Sequence, residues 1–389
     1  MEPIGRRSFV EAMGATAGLA WLGAPAVVGA VGAADGPSDG PPDKTVHLSG
    51  DGLGLSTESY AALLSQLCRA SAVAEDNYLL GGEVERFERH WAELLGKETA
   101  VFMPSGTLAN QLALRALAGT RRRVIVQEMS HIYNDTGDAC QILSGLNLIP
   151  LAPGKAVFTR ADVEAVITRT AGGRVAAEVG AIAIESPVRR LAGQTFEWKE
   201  MRRIAAYARD RGIGMHLDGA RLFIASAYTG LTPAQYAAEF DTVYVSLWKY
   251  FNSGVGAILA GPKRVLDNMF HVRRMFGGNL AVGWPAAVVA RHYMDGFEDR
   301  LRSAVRVSED FYAAIGAHPA FGVERIPNGT NLAHLSLKRG DAADLRRRLA
   351  ADGVRLSEAA AGVFTVGVNE TWNRTTGADL ARAFERAVA

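Results

Sequence analysis

The sequence predicts an α/β fold in which one seven-stranded, mostly parallel sheet is followed by a small C-terminal α+β unit. From residue 100 onward, short runs rich in Val, Ile and Leu alternate with segments whose apolar residues recur at three- and four-residue steps. The short runs lack a clear apolar–polar alternation, which is typical of strands buried on both faces. Strands that alternate with helices indicate a parallel sheet covered by helices on both sides. Ligands of such sheets bind beyond the carboxyl ends of the strands, so we expect the chemistry there.

The predicted elements divide the chain into four parts. The candidate strands of the sheet are Ala100–Met103, Val124–Glu128, Leu146–Leu151, Ala181–Glu185, Ile213–Asp218, Thr242–Leu247 and Ala257–Ala260. After a long helical stretch over 282–315, the C-terminal unit is predicted to contain strands at 331–337 and 363–368 and helices at 341–352 and 377–388. The predicted boundaries are 1–34 for an export signal, 35–45 for a linker, 46–295 for a large domain and 296–389 for a small domain.

Composition and charge exclude several classes of protein. The chain has 389 residues, of which 48% are hydrophobic, so it can bury a sizeable core and is not a disordered or fibrous protein. The 42 Lys and Arg residues balance the 41 Asp and Glu residues, so the sequence lacks the excess of positive charge that is typical of nucleic-acid-binding proteins. The two cysteines, Cys68 and Cys140, cannot form a disulfide framework, and we expect both to be small buried side chains. No metal site is predicted.

The N-terminal residues predict an export signal. Gly5-Arg6-Arg7-Ser8-Phe9-Val10 precedes an uncharged, Ala- and Gly-rich stretch that ends in small residues near Val31-Gly32-Ala33. Paired arginines followed by Ser-Phe resemble a twin-arginine signal, which predicts a periplasmic or extracellular protein. The alternative is a retained transmembrane anchor, although the stretch is only weakly hydrophobic. No other segment is apolar enough to span a bilayer.

Two polar groups follow early strands of the sheet. Ser105-Gly106-Thr107 lies between a strand and a helix, where free backbone N–H groups and the helix dipole favour a phosphate. The same residues are also an ordinary N-cap. His131 follows the next strand and could stack on a flat ring, or it could be a solvent-facing histidine.

Two charged groups end later strands. Asp218 and His216 face the same side of one strand, and a buried carboxylate needs a cationic partner, either Arg221 or the protonated nitrogen of a ring cofactor. Lys249 follows another apolar strand among aromatic residues, so desolvation could make it a Schiff-base nucleophile, although it could also extend to the surface. Together, the phosphate turn, the imidazole, Asp218 and Lys249 predict a site for pyridoxal phosphate.

Several segments jointly resemble the threonine aldolase and aromatic amino acid β-eliminating lyase family of pyridoxal-phosphate enzymes. They are Gly96-Lys97-Glu98, 104–107, Asn110-Gln111, Ser130-His131-Ile132, 216–223 and, more weakly, 274–278. The resemblance runs from about Val46 to the C-terminus. It implies the aspartate-aminotransferase-like fold, known as fold type I, and a homodimer or homotetramer with shared active sites.

The resemblance implies a role for each cofactor residue. Gly106 and Thr107 would hold the phosphate and His131 would stack on the pyridine ring. Asp218 would pair with the ring nitrogen, and Lys249 would carry the cofactor covalently.

The same resemblance implies substrate contacts, and here the sequence departs from the family pattern. Arg221 would reach the ring oxygen and the substrate carboxylate, while Tyr78 would serve the site of the neighbouring subunit. A serine that contacts the carboxylate in the family is replaced by Gly50, and a C-terminal arginine aligns with Thr365. A second histidine, expected near Val175, has no counterpart. We therefore expect intact cofactor machinery beside a remodelled substrate pocket.

The resulting functional hypothesis is a lyase that cleaves the Cα–Cβ bond of a β-hydroxy-α-amino acid to glycine and an aldehyde. Lys249, Asp218 and, as the base, His131 would be the catalytic residues. β-Elimination, racemisation or transamination with the same cofactor are alternatives, and so is an exported, non-catalytic binding protein. The sequence leaves the substrate side chain open.

Overall fold

The computed structural model describes residues 44–389, so the predicted export signal and most of the predicted linker lie outside the described residues. The strands are β1 Val46–His47, β2 Thr99–Met103, β3 Arg123–Gln127, β4 Asn147–Leu151, β5 Val179–Glu185, β6 Gly214–Asp218, β7 Thr242–Ser246, β8 Ala257–Gly261, β9 Phe321–Arg325, β10 Leu332–Leu337, β11 Val354–Arg355 and β12 Val363–Gly367. The α-helices are α1 Thr57–Ala70, α2 Gly82–Leu95, α3 Gly106–Ala118, α4 His131–Asn134, α5 Ala139–Ser144, α6 Arg160–Ala171, α7 Trp198–Arg209, α8 Leu222–Thr229, α9 Pro233–Ala238, α10 Lys263–Leu266, α11 Met269–Met275, α12 Trp284–Met294, α13 Phe297–Gly316, α14 Ala342–Ala351 and α15 Gly377–Val388.

The large sheet has the predicted seven strands in the order β2-β8-β7-β6-β5-β3-β4. Strand β8 runs antiparallel to both of its neighbours, and the other pairings are parallel. Each predicted strand is present with ends shifted by at most two residues. Strands β5, β7 and β8 are buried along their whole length, which explains why their sequences lack apolar–polar alternation. The predicted fold class is confirmed.

An aromatic cluster beside the sheet fixes the segment that follows β7. The rings of Trp91 and Phe251 meet edge to face with centroids 5.8 Å apart, and Phe223 lies 5.2 Å from Phe251. Tyr250 stacks on Phe297 at 5.1 Å. Aromatic pairs of this kind add to the free energy gained by burial, so the chain that follows Lys249 has little freedom to move.

The C-terminal part contains a three-stranded antiparallel sheet in the order β12-β10-β9. Strand β9 was not predicted, because its exposed charged end lacks the apolar run that identified the others. Strand β1 pairs in parallel with β11, and Val46 and Leu48 pack in the same hydrophobic cluster as the C-terminal strands and helices. The predicted stretch over 282–315 is two helices, α12 and α13, separated at Asp295-Gly296, where Gly296 adopts a φ of 67°.

The cysteine prediction is correct for one residue and wrong for the other. Cys140 is buried, whereas Cys68 is exposed because helix α1 buries none of its residues. Across residues 44–389, none of the helices combines the length and hydropathy of a membrane-crossing segment.

Candidate active site

A cavity of about 670 Å³ opens at the carboxyl ends of the central strands. Four residues singled out by the sequence line it together: His131, Asp218, Arg221 and Lys249. The N-terminal segment, the turn after β5 and the turn after β7 complete the wall; the other lining residues used below are Gly50, Asp51, Tyr60, Glu185, Arg189, Tyr244, Trp248 and Asn252. The structure thus brings the cationic and anionic groups of the predicted site into one space.

A buried chain of polar side chains supports Asp218, which lines this cavity, and we call this chain the floor. Asn110 donates from Nδ2 to Asp218 Oδ2 at 2.7 Å, and its Oδ1 lies 2.9 Å from His216 Nε2. His216 Nδ1 lies 2.9 Å from the Thr242 hydroxyl. Because Asn110 Oδ1 can only accept, His216 carries its proton on Nε2. Burial lowers the pKa of His216 to about 4, so this imidazole is neutral at ordinary pH.

The floor corrects one alternative for Asp218. Arg221, considered as its partner, does not contact it among the described hydrogen bonds; Asn110 and the backbone N–H of Ala220, at 3.2 Å, bind the carboxylate instead. Asp218 is 1% exposed. Among residues 44–389 this carboxylate therefore has hydrogen bonds but no ion pair with an arginine or lysine, and a cationic group entering the cavity would be stabilised by it.

Lys249 lines the cavity three residues after the end of β7. Burial and, next, the positive charge of Arg221 lower the pKa of its amine to about 8. Its Nζ lies 4.9 Å from the ring centre of Trp248, which is 51% exposed. A Cβ on Gly52 would collide with the carbonyl oxygen of Lys249, so the N-terminal segment packs directly on the lysine turn. Near neutral pH, an appreciable fraction of this amine is unprotonated and nucleophilic.

Arg221, just before helix α8, is committed to the N-terminal segment. Its Nε lies 3.1 and 3.0 Å from the two carboxylate oxygens of Asp51, and its Nη2 is 2.8 Å from Oδ2. Both side chains are largely buried, at 19% and 13% exposure. This bidentate pair holds Asp51 at the cavity and fixes the direction of the guanidinium.

His131 is positioned through its backbone and its ring. Its N–H donates to Glu185 Oε2 at 2.6 Å, and its Nδ1 lies 3.3 Å from Asp135 Oδ2. Glu185 is buried at the end of β5, and burial followed by the charge of Asp218 raises its pKa. With Nδ1–H bound to Asp135, the Nε2 lone pair remains available as an acceptor or base.

The turn Ser105-Gly106-Thr107 begins helix α3 as predicted. The Ser105 hydroxyl accepts from Leu108 N–H at 3.2 Å, so the N-cap interpretation is correct, and the N–H groups of Gly106 and Thr107 precede the first intrahelical bonds. The turn does not line the cavity itself. Tyr244, which does, places its hydroxyl where a Cβ of residue 106 would be, so only glycine fits there.

Neither Tyr78, predicted to serve the site of the neighbouring subunit, nor Thr365, aligned with an arginine of the family, lines this cavity. Tyr78 is 44% exposed at the surface, with the Arg274 guanidinium 5.5 Å from its ring centre. Thr365 is an exposed residue of β12 and does not line the cavity. Gly50 does line it, with a φ of 79°.

Sequence reasoning missed several residues that build the site. Asp51, Asn110 and Tyr244 were given no role, although Asn110 lies one helical turn after the phosphate turn. Ser246 was also missed; its hydroxyl lies beside that of Tyr244 and is buried without a hydrogen bond of acceptable geometry in the described chain. Its position three residues before Lys249 was the available signal.

Comparison with known sequences identifies proteins that are similar to this chain. The sequence model of the beta-eliminating lyase family matches residues 56–345. A low-specificity L-threonine aldolase from Candida albicans is 30% identical over 213 residues, which cover 54% of this chain and 56% of that protein. An alanine racemase from Cochliobolus carbonum is 32% identical over 209 residues, which cover 53% and 52%. The chain thus spans about half the length of these curated relatives.

Solved structures agree with the fold described above. A structure assigned as an L-allo-threonine aldolase from Listeria monocytogenes superposes with a TM-score of 0.73 at 27% identity and covers 89% of this chain and 96% of that chain. A serine palmitoyltransferase from Sphingomonas wittichii, at 16% identity and a TM-score of 0.61, covers 88% and 87% and shares the fold. The fold type I prediction is confirmed by these similarities.

Proposed function

The chain belongs to the beta-eliminating lyase family, and on that basis we propose that it is a pyridoxal-phosphate-dependent lyase of the threonine aldolase type. Its reaction is cleavage of the Cα–Cβ bond of a β-hydroxy-α-amino acid, which yields glycine and an aldehyde. The observation that carries this proposal is one cavity that holds both the Lys249 amine, with its pKa of about 8, and the buried Asp218 carboxylate.

The residues present fit pyridoxal phosphate at both ends of the molecule. A phosphate suits the N-terminus of α3, with the N–H groups of Gly106 and Thr107 and the Ser105 hydroxyl. The buried Ser246 hydroxyl, which has no hydrogen bond of acceptable geometry among the described residues, would supply a further donor. Burial, and next the charge of Asp218, raise the pKa of Tyr244, so its phenol stays protonated and can also donate.

When bound, pyridoxal phosphate supplies an electron sink for the bond that breaks at Cα. Asp218 would pair with the protonated ring nitrogen, because its buried carboxylate forms no ion pair with an arginine or lysine among the described residues. Asn110 keeps that carboxylate in place, and the neutral His216 keeps Asn110 in place. Lys249 would hold the cofactor through its amine, which its low pKa leaves partly unprotonated.

In this proposal His131 would stack on the cofactor ring, and its Nε2 would take the proton of the substrate β-hydroxyl. Asp135 binds the imidazole at Nδ1 and would favour the imidazolium that forms. Arg221, held by Asp51, would contact the ring oxygen and the substrate. Tyr250 and Phe251 belong to the core, so among the aromatic residues around Lys249 the half-exposed Trp248 is the one that can meet a substrate side chain.

The experiment is a product assay with the purified, cofactor-loaded protein. Threonine, allo-threonine and phenylserine are each offered, and release of glycine and aldehyde is measured beside pyruvate, ammonia and loss of optical activity of alanine. We expect the wild type to release glycine and aldehyde from at least one substrate. This activity should be abolished in Lys249→Ala and retained in Lys263→Ala, the control at an exposed lysine. Pyruvate with ammonia would indicate β-elimination instead. Loss of optical activity would favour racemisation, the activity named for the Cochliobolus carbonum relative.

The proposal includes assembly and export. Exposed apolar side chains gather near Tyr78, including Leu80 at 54% and Val282 at 46% exposure, and a second copy of the chain is the partner that would cover them.

Residues 5–10 support export by the twin-arginine route, which carries folded, cofactor-loaded proteins. Cell fractionation of Arg6→Lys/Arg7→Lys tests this; unchanged distribution of the double variant would contradict it.

A further inference from the structure

The substrate of the proposed reaction carries an α-carboxylate, which needs a cationic hydrogen-bond donor in the cavity. Among the described residues, the arginine and lysine side chains that line the cavity are Arg189, Arg221 and Lys249. Lys249 is the nucleophile, and Arg221 already holds the Asp51 carboxylate through two of its nitrogens. The family resemblance expects carboxylate contacts at the positions of Gly50, which lines the cavity, and Thr365, which does not; neither residue offers a charge.

Arg189 is fixed to the site by its backbone. Its N–H donates to Glu185 Oε1 at 2.9 Å, while the other oxygen of Glu185 accepts the N–H of His131 at 2.6 Å. Glu185 is 4% exposed, so one buried carboxyl group ties the turn after β5 to the histidine turn. The Cα of Arg189 is therefore rigidly placed at the cavity wall, next to the proposed base.

The guanidinium of Arg189 has little to bind within the described chain. Its Nη1 lies 3.5 Å from Asp135 Oδ2, at the limit of a hydrogen bond, and the side chain is 60% exposed. Asp135 has a closer partner in Arg190, whose Nη2 lies 2.6 Å from Oδ1. Arg190 satisfies the local carboxylate, and this leaves Arg189 with free N–H donors beside the cavity.

We propose that Arg189 binds the α-carboxylate of the amino acid substrate and so replaces the carboxylate contacts missing at Gly50 and Thr365. This inference rests on the proposed function. It makes the turn after β5, rather than the C-terminal strands, the element that recognises the amino acid head group. A planar guanidinium can bind both carboxylate oxygens, which orients the substrate as well as attracting it.

The test compares two probes that differ only in the charged group. Glycine carries the carboxylate and glycinamide does not, and both keep the amine. Dissociation constants of each are measured by calorimetry on the cofactor-loaded wild type, Arg189→Gln, Arg189→Lys and the control Arg203→Gln, whose exposed side chain pairs with Glu200 and does not line the cavity. We expect Arg189→Gln to weaken glycine binding roughly 10- to 100-fold, as for loss of a charge-assisted hydrogen bond, and to leave glycinamide binding unchanged. Arg189→Lys should recover part of the loss, and Arg203→Gln should change neither constant by more than about threefold.

Each other outcome overturns the inference. Equal weakening of both probes by Arg189→Gln would mean a structural role, and no weakening of glycine would mean that another group binds the carboxylate. If the wild type and Arg189→Gln bind glycine equally well, the proposed function still holds but Arg189 is not the residue that binds the carboxylate. A loaded wild type that binds neither probe removes the proposed function itself, and this inference with it.

Discussion

The floor and the rim of the cavity are built in opposite ways. The floor is a closed chain of buried groups, Asp218, Asn110, His216 and Thr242, each bonded to the next at 2.7 to 2.9 Å. The rim consists of turns with partly exposed side chains, of which Arg189 is 60% and Trp248 51% exposed. A rigid floor suits a cofactor that is always the same, and an adaptable rim suits a substrate that differs between relatives.

The loss of a hydrogen-bond partner should cost more free energy in the floor than at the rim. In the floor, loss of one partner leaves a buried polar group without a hydrogen bond, which costs far more than the bond contributed. At the rim, water replaces a lost partner. Floor substitutions should therefore lower both activity and stability, whereas rim substitutions should act mainly on substrate affinity.

The largest effect is expected from Asp218→Asn in the floor. The amide keeps the shape but loses the charge that, in the proposed function, would pair with the protonated ring nitrogen, so kcat should fall about 100- to 1,000-fold. Steady-state kinetics with phenylserine measure this. The absorption spectrum of the bound cofactor should show that the variant still takes it up. A kcat within threefold of the wild type would contradict the role given to Asp218.

Asn110→Ala tests the floor as a connected chain. It leaves Asp218 Oδ2 and His216 Nε2 without their partner, and the free energy of unfolding should fall by about 2–5 kcal/mol. kcat should fall as well, because Asp218 is no longer held. The matched control is Asn373→Ala, since Asn373 is exposed and donates to one backbone carbonyl. Urea unfolding of both variants is the measurement; equal, small losses would show that the floor is not a cooperative unit.

Asp51→Asn tests the rim. Arg221 loses its bidentate partner, so its guanidinium is less well directed toward the substrate, and KM should rise about tenfold with a smaller change in kcat. Stability should change by only about 1 kcal/mol. Asp352→Asn, which breaks the surface pair with Arg386, is the control. A drop in kcat without a change in KM would place Asp51 in the chemistry rather than at the rim.

The smallest effect is expected in the pH dependence of the rate of cofactor uptake. Because burial lowers the pKa of Lys249 to about 8, the unprotonated amine should rise about tenfold per pH unit below 8 and level off above about 9. The rate at which cofactor-free protein takes up pyridoxal phosphate should follow this curve. Free Nα-acetyl-lysine should keep accelerating toward pH 10.5. A protein whose uptake rate also rises past pH 10 would have an ordinary, hydrated lysine.

The sequence was sufficient for the sheet and for the residues at its strand ends. Strands such as β5 and β7 are continuous apolar runs, and Asp218 follows directly from one of them. The contact between Asp51 and Arg221 could not be predicted from the sequence. It joins positions 170 residues apart, and the segment around Asp51 has no strong hydrophobic pattern. The bond from Asn110 to Asp218, across 108 residues, depends on how α3 packs on the sheet. Cys68 was misjudged because composition does not reveal that a helix has no fully buried residue.

The measurement that tests the central claim most directly is chemical trapping of the cofactor on the wild-type protein. Purified protein is incubated with pyridoxal phosphate, reduced with borohydride and digested, and the modified peptide is sequenced by mass spectrometry. The account predicts a single stable phosphopyridoxyl adduct on Lys249. An unmodified Lys249, with the adduct absent or carried by surface lysines such as Lys263, would contradict it.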